Sequence, residues 1–166
     1  EYPKELYNLT ILDDSPPCSS FSSLGNREKD WGKNKKYREG QQKQILDTLF
    51  FDFIELADKL KPKIIIAENV KGLLVGRASE YMVKIYKEIE KIGYSHSHWL
   101  LNASEMGVPQ ARERIFIIAM RNDICEKYNN KISMFNILPE IELMFNNKEI
   151  KFKTIKENNV KRKKIP

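Results

Sequence analysis

Short apolar blocks alternate with longer amphipathic stretches along the first 120 residues of the chain. The blocks at 9–12 (LTIL) and 64–67 (IIIA) are brief, mostly apolar and bounded by polar residues or proline. Such blocks are typical of strands that are buried on both faces of a sheet. Residues 96–102 and 114–120 (RIFIIAM) predict two more strands.

Two segments repeat apolar side chains every third or fourth residue, which is the spacing of one helix face. The first covers residues 43–60, and we expect this helix to end before Pro62. The second runs from Ser79, a suitable N-cap residue, to Gly93, which would end it. Its apolar face carries Met82, Ile85, Ile89 and Ile92.

The order strand, helix, strand, helix, strand, strand predicts an α/β fold with helices on the faces of the sheet. The carboxyl ends of parallel strands meet at one rim, and ligands bind there. Residues 15–18 (SPPC) follow the first predicted strand, and residues 68–70 (ENV) end the second. A thiol and a carboxylate therefore share that rim. Residues 110–114 (QARER) join them only if the last strand runs antiparallel to the others.

The composition is that of an ordinary globular protein, with 166 residues, 41% hydrophobic and 31% charged. This length suits one compact domain, and no apolar run approaches the roughly 20 residues of a membrane helix. Cys18 and Cys125 are too few for a disulfide framework, which favours a reducing, cytoplasmic compartment. Neither a membrane partner nor a metal site is predicted.

The net charge of +6 permits a polyanionic partner, and the distribution of basic residues says more. Residues 27–43 hold seven Lys or Arg against three acidic residues, and residues 148–164 hold eight against two. A solvated surface is the simplest explanation of either run alone. The segment 19–41 is also long for a loop inside a compact domain, which is typical of functional or disordered loops.

Each rim segment also has a purely structural interpretation. A lone cysteine after two prolines is more often a small buried side chain than a nucleophile. Glu68 is able to cap a helix, and the Arg-Glu-Arg run at 112–114 is able to form surface ion pairs. The occurrence of all three segments on one rim, in this order, favours a catalytic site.

Residues 14–22 (DSPPCSSFS) resemble the catalytic Pro-Cys motif of the DNA (cytosine-5) methyltransferases. Residues 68–70 resemble the Glu-Asn-Val motif of that family, and residues 110–114 resemble its Gln-x-Arg-x-Arg motif. Residues 48–52 (TLFFD) and 101–110 (LNASEMGVPQ) match the flanking sequence of the family. Five matches in family order make a chance agreement very improbable.

The resemblance covers roughly residues 9–122 and implies a partial Rossmann-like fold of an S-adenosylmethionine-dependent methyltransferase, with a mostly parallel sheet and an antiparallel last strand. It implies that the Cys18 thiolate adds to C6 of cytosine while Glu68, as a protonated carboxyl, donates to N3. Arg114 is expected to hold O2 of the base, and Arg112 to brace the Cys18 loop or a phosphate. C5 then takes the methyl group from S-adenosylmethionine, and the C5 proton and Cys18 leave.

Such chemistry requires a cytosine that is flipped out of the DNA duplex. The segment 19–41 corresponds in position to the mobile loop of the family, which closes over the flipped base. Phosphate contacts are expected from this segment, and such contacts position DNA without reading its sequence. The predicted DNA-binding residues are Ser22, Arg27, Lys35, Lys36 and Arg38.

The sequence departs from the family at the cofactor site. The Phe-x-Gly-x-Gly turn of the family is missing, and no two of the seven glycines form a Gly-x-Gly arrangement. By resemblance, only Pro17 and Leu49 remain of the wall of the cofactor pocket. Asp14 also stands where the family usually has glycine, which raises a question about the backbone of that turn.

We therefore expect the central catalytic segment of a longer enzyme. Residues 1–122 would form the C-terminal half of the methyltransferase sheet, and residues 123–166 an extension toward a target-recognition domain. The expected partners are double-stranded DNA and the missing segments or a complementary subunit. The enzyme is expected to be bacterial or phage-encoded and associated with the nucleoid.

Three other functions stay open. One branch of the same family methylates cytosine in tRNA with the same motifs, and a non-catalytic nucleic-acid-binding fragment would keep the fold alone. A thiol hydrolase would pair Cys18 with His96 or His98 as the base. The joint presence of Cys18, Glu68 and Arg114 argues against a non-catalytic fragment, which would need none of them.

Because the glycine-rich part of the cofactor site is missing, we expect the isolated chain to bind S-adenosylmethionine poorly or not at all. Isothermal titration calorimetry measures this affinity directly. Micromolar binding by the chain alone would contradict the expectation.

Overall fold

The computed structural model describes residues 2–17, 48–76, 78–128, 143, 145 and 148–155. Its strands are β1 (Ile11–Asp14), β2 (Ile64–Val70), β3 (Tyr94–Asn102) and β4 (Glu113–Arg121). Its α-helices are α1 (Leu49–Leu60), α2 (Ala78–Lys91), α3 (Asn122–Tyr128) and α4 (Phe152–Ile155). Short 3-10 helices cover Lys4–Asn8, Lys71–Leu74 and Ala103–Met106. None of the helices in these ranges is long and apolar enough to cross a membrane.

The four strands form one sheet in the order β1-β2-β4-β3. β1 pairs with β2 in parallel, whereas β4 runs antiparallel to both of its neighbours, β2 and β3. Three strands therefore point in one direction and β4 points in the other. The prediction of an α/β sheet with an antiparallel last strand is confirmed, and among the described strands the sheet is mixed, with one parallel and two antiparallel ladders.

This topology brings three chain segments to one rim of the sheet. In the register of the strands, Asp14 lies opposite Ala67 and Val70 lies opposite Arg114. Asn102 lies opposite Glu113 at the far end of the same rim. The carboxyl ends of β1, β2 and β3 thus meet the start of β4. We call this edge the carboxyl rim.

The core lies between one face of the sheet and the helices α1 and α2. Ile65 and Ala67 of β2 lie on this face because alternate residues of a strand point to the same side. The apolar stripe of α2, with Ile85 and Ile89 at 0% and 1% exposure, packs into the same core. At the start of β3, the buried hydroxyl of Tyr94 donates to the carbonyl oxygen of Pro62 at 2.6 Å.

The opposite face of the sheet and the outer edge of β1 are less covered than the sequence predicts. Ile64 and Ile66 are half-buried, so β2 is fully buried on one face alone. β1 starts two residues later than the apolar block suggests, and Ile11 is 48% exposed. The prediction of a buried first strand is wrong, because among the described strands β1 lies at an edge and pairs with β2 alone.

The helix ends follow backbone geometry. Gly93 ends the α2 segment with φ +89°, a conformation in which a side chain would be strained. Ser79 is not the N-cap that the sequence predicts, because α2 already begins at Ala78. Its hydroxyl instead donates to the carbonyl oxygen of Gly76 at 2.7 Å. α1 ends before Pro62, as expected, and Lys61 caps it with a left-handed backbone.

The helix α3 follows β4 directly and was not expected from its polar sequence. Its Cys125 is fully buried, with Sγ 3.6 Å from the carbonyl oxygen of Met120. Burial raises the pKa of the Cys125 thiol, which disfavours the reactive thiolate. Cys125 is therefore a packing residue of this helix.

The packing of α2 gives a direct test of the fold. We expect Ile85→Ala to lower the free energy of unfolding by about 2–5 kcal/mol, because it leaves a cavity in the core. Val83, on the same helix, is 50% exposed, and Val83→Ala should change that free energy by about 0.5 kcal/mol or less. Urea denaturation followed by circular dichroism measures both values. Equal losses in the two variants would contradict this packing.

Candidate active site

An ion pair between Glu68 and Arg114 lies at the carboxyl rim. Arg114 Nε is 2.8 Å from Glu68 Oε1, and both side chains keep contact with solvent, at 21% and 29% exposure. In the strand register Glu68 faces Phe116, so Arg114 is its diagonal neighbour on the same face of the sheet. The antiparallel direction of β4 is what brings the arginine to this carboxylate.

The guanidinium of Arg114 is held from a second side. Its Nη1 donates to the carbonyl oxygen of Glu113 at 2.8 Å. The flat guanidinium carries five N–H donors, and these two contacts leave the others for a ligand. Glu68 and Arg114 therefore place a carboxyl group and several N–H donors side by side, where a ring with adjacent acceptors can meet both.

Asn69 connects this pair to the segment that follows β1. The side chain is 4% exposed, and its Nδ2 donates to the carbonyl oxygen of Pro16 at 2.9 Å. Its Oδ1 accepts from the backbone N–H of Val70 at 2.8 Å, so the amide is fixed in one orientation. The buried Pro16 is two residues before Cys18.

Asn69 lies within the Glu-Asn-Val motif, but no separate role was predicted for it from the sequence. The alternation of side chains along β2 could have indicated that Asn69 is buried. If Glu68 points to the ligand side, its neighbour must point into the core face, and a buried amide needs partners. Among the described side chains, no buried nitrogen or oxygen lacks a hydrogen bond.

Asp14 does not disturb the turn at the end of β1. Its Oδ1 accepts from the backbone N–H of Ser15 at 2.8 Å, a local bond that is typical of turns. Within the described ranges, Lys61 is the one non-glycine residue with a positive φ. The backbone at Asp14 is thus open to any side chain, and glycine is not required there.

The other predicted residues of the rim are placed as follows. Arg112 is exposed, directly before β4, and its carbonyl oxygen accepts from the N–H of Ala103 at 3.0 Å. Pro17 is exposed after β1, and Leu49 is the half-buried first residue of α1. α1 ends just before β2 begins at the opposite rim, so its length of about 18 Å carries Leu49 toward the carboxyl rim.

The predicted nucleophile and the predicted DNA contacts lie outside the described residues. This applies to Cys18 and to the whole segment 19–41, so the roles of these side chains remain predictions. The predicted phosphate-binding residues there are Ser22, Arg27, Lys35, Lys36 and Arg38.

The two histidines belong to a separate cluster on β3. The ring of Tyr86 stacks on His96 at 4.2 Å between centroids, and its hydroxyl is hydrogen-bonded to His98 Nδ1 at 2.7 Å. Burial lowers the pKa of His98, and the neighbouring His96 lowers it further. β3 and β1 are opposite edges of the sheet, about 14 Å apart at the usual strand spacing. Both histidines thus lie at the opposite edge of the sheet from the strand that precedes the Cys18 segment.

A second ion pair at the rim was not anticipated in this form. Lys71 Nζ contacts both carboxylate oxygens of Glu113, at 2.9 and 2.8 Å. The structural interpretation of the Arg-Glu-Arg run places ion pairs between Glu113 and its flanking arginines, but the carboxylate is paired with a residue 42 positions away. This contact follows from the strand register, in which Val70 lies opposite Arg114.

The hydrogen bond of Asn69 can be tested with a matched pair of variants. Asn69→Asp removes the donor to Pro16 and sets a carboxylate against a carbonyl oxygen, which should cost about 1–3 kcal/mol in the free energy of unfolding. Among the described residues, Asn102 is hydrogen-bonded through its Oδ1, which accepts from the N–H of Ser104, so Asn102→Asp keeps this bond. Urea denaturation compares the two. A loss in Asn102→Asp as large as that in Asn69→Asp would contradict the assignment.

The sequence matches the family model described as C-5 cytosine-specific DNA methylase over residues 2–165. It is 38% identical over 109 residues to Type II methyltransferase M.FnuDI of Fusobacterium nucleatum, a match that covers 66% of this chain and 28% of that protein. It is 36% identical over 128 residues to Type II methyltransferase M.Bsp6I of a Bacillus species, with coverage of 76% and 36%. The chain thus spans about a third or less of the length of these relatives.

The fold is similar to two solved structures. The Entamoeba histolytica methyltransferase EhMeth superposes with a TM-score of 0.52 at 20% identity, over 95% of this chain and 45% of that one. A DNMT2 variant from Spodoptera frugiperda superposes with a TM-score of 0.50 at 23% identity, over 91% and 40%. At these identities the likeness shows the fold alone. The family match spans nearly the whole sequence, and the chain belongs to the C-5 cytosine-specific DNA methylase family.

Proposed function

We propose that this chain supplies the catalytic rim of a DNA (cytosine-5) methyltransferase, which transfers a methyl group from S-adenosylmethionine to C5 of cytosine. The observation that carries the proposal is the Glu68–Arg114 pair at 2.8 Å, beside the anchored segment that leads to Cys18. Because the chain covers 28% and 36% of two relatives, the activity is proposed for an enzyme completed by further polypeptide. That polypeptide would supply most of the cofactor site and the target-recognition region.

The first step is activation of the base. C5 of cytosine is a weak nucleophile, so the Cys18 thiolate adds at C6, and the displaced electron pair moves through the ring to N3 and O2. Pro16 and Pro17 restrict the backbone before the cysteine, and Asn69 fixes the carbonyl oxygen of Pro16. The segment that leads to Cys18 is thereby held at the rim.

Glu68 and Arg114 stabilise the negative charge that this addition creates. A base at the rim offers two adjacent acceptors, N3 and O2. Glu68 takes up a proton and donates it to N3, and the free N–H groups of Arg114 point to O2. Arg114 then exchanges part of its contact with Glu68 for a contact with the base. A preorganised guanidinium requires little rearrangement for this exchange.

The second step is methyl transfer. The activated C5 attacks the methyl group, which S-adenosylmethionine supplies when bound. Pro17 and Leu49 fit an apolar wall for this molecule because one is exposed and the other half-buried toward the same rim. S-adenosylhomocysteine is the leaving group of this transfer. Loss of the C5 proton to a base, return of the N3 proton to Glu68 and expulsion of the Cys18 thiolate then restore the enzyme.

The DNA substrate follows from the family and from the charge of the chain. A duplex cytosine must leave the stack to reach this rim. The basic segment 19–41 is proposed to close over it, with phosphate contacts from Arg112 and from Ser22, Arg27, Lys35, Lys36 and Arg38. The names of the relatives favour a role in a type II modification system, which would act at the bacterial nucleoid or on phage DNA.

The proposal is tested by trapping the covalent intermediate. DNA with 5-fluorocytosine at random positions is incubated with S-adenosylmethionine and the chain, alone and together with the remaining segments of a relative such as M.FnuDI. Fluorine at C5 blocks the release step, so we expect a DNA-linked species in denaturing electrophoresis when the complementing segments are present.

Two cysteine variants control this experiment. Cys18→Ser should abolish the linked species, whereas Cys125→Ala, which alters a buried packing residue, should leave it in place. A linked species that survives Cys18→Ser would contradict the assigned nucleophile. Absence of any linked species from DNA, together with methyl transfer to tRNA by the completed enzyme, would favour the tRNA substrate.

A further inference from the structure

The second ion pair of the carboxyl rim stands beside the catalytic one. Lys71 follows β2 directly, and Glu113 is the first residue of β4. Val70 and Arg114 are the last partners of the β2–β4 ladder, and Lys71 and Glu113 are the residues next to them in the chain. Two acidic and two basic side chains thus belong to this rim, and each carboxylate is paired with its own cation.

This one-to-one pairing depends on Lys71. Arg114 Nη1 donates to the backbone carbonyl oxygen of Glu113, so the guanidinium lies against the residue whose carboxylate Lys71 holds. A released Glu113 carboxylate would belong to the residue whose backbone carbonyl oxygen the Arg114 guanidinium already contacts. Two carboxylates, from Glu68 and Glu113, would then compete for one guanidinium.

We propose that Lys71 is a positioning residue that occupies Glu113 and thereby keeps Arg114 on Glu68. The proposal rests on the proposed function only for its catalytic consequence; the choice of partner by Arg114 is a property of the chain itself. Lys71 and Glu113 are 48% and 42% exposed, so their attraction contributes little to the free energy of unfolding. Their effect is on which carboxylate Arg114 selects.

Three variants separate this role from a purely structural one, in which the Lys71–Glu113 ion pair only links the end of β2 to β4. Lys71→Met frees the Glu113 carboxylate and should disturb the Arg114–Glu68 pair. Glu113→Gln removes the competitor and should leave that pair intact. The double variant Lys71→Met/Glu113→Gln also lacks the competitor, so the pair should return to its wild-type state. A purely structural ion pair would be lost in all three variants.

The readout is the side-chain Nε–Hε signal of Arg114 in a ¹⁵N NMR spectrum of the full chain, assigned by its loss in Arg114→Lys. We expect Lys71→Met to shift or broaden this signal and the double variant to restore it. Thermal midpoints of all three should lie within about 2 °C of wild type. An unchanged signal in Lys71→Met, or a double variant that stays as disturbed as Lys71→Met, would overturn the proposal.

The catalytic consequence is measured separately. In the completed enzyme, Lys71→Met should slow formation of the 5-fluorocytosine adduct roughly fivefold, the scale of an exposed charge–charge interaction, and the double variant should recover the rate. If the wild-type chain forms no adduct, the proposed function fails while the NMR comparison still decides the role of Lys71. If the adduct forms but the NMR pattern is absent, the role proposed for Lys71 fails while the proposed function stands.

Discussion

The candidate site depends on the buried hydrogen bond from Asn69 Nδ2 to the carbonyl oxygen of Pro16. This bond joins the end of β2 to the segment after β1. It adds to the parallel ladder that pairs the two strands. Because Asn69 follows Glu68 in a strand, the same backbone carries one side chain into the core and its neighbour to the ligand side. The position of the nucleophile segment and that of the carboxylate are therefore set by a single element.

The antiparallel direction of β4 is the second constraint. A parallel last strand would place residues 112–114 at the opposite end of the sheet, far from Glu68. With β4 reversed, Arg114 lies diagonal to Glu68, and Lys71 contacts Glu113 just beyond the end of the ladder. The rim then holds two ion pairs. Such an arrangement stabilises a developing negative charge without a large rearrangement of the protein.

The sequence predicted the element order up to β4, the strand directions and the meeting of residues 15–17, 68–70 and 110–114 at one rim. Periodicity and the rim argument are enough for that, because they depend on which residues are apolar and on where strands end. They do not show which parts of the protein cover a given face of the sheet, so the burial of β1 was predicted wrongly. The helix α3 was missed because its sequence is polar. Single contacts such as Asn69–Pro16, between residues 53 positions apart, appear only when the register of the sheet is known.

We propose that the rim holds a cytosine through Glu68 and Arg114 while Asn69 keeps its hydrogen bond to Pro16. A crystal structure of the completed enzyme, covalently trapped on 5-fluorocytosine DNA, tests this directly. We expect the sulfur of Cys18 to be bonded to C6, with Glu68 at about 3 Å from N3 and Arg114 at about 3 Å from O2 of the base. A trapped base that contacts neither residue, with the Glu68–Arg114 pair unchanged, would contradict it.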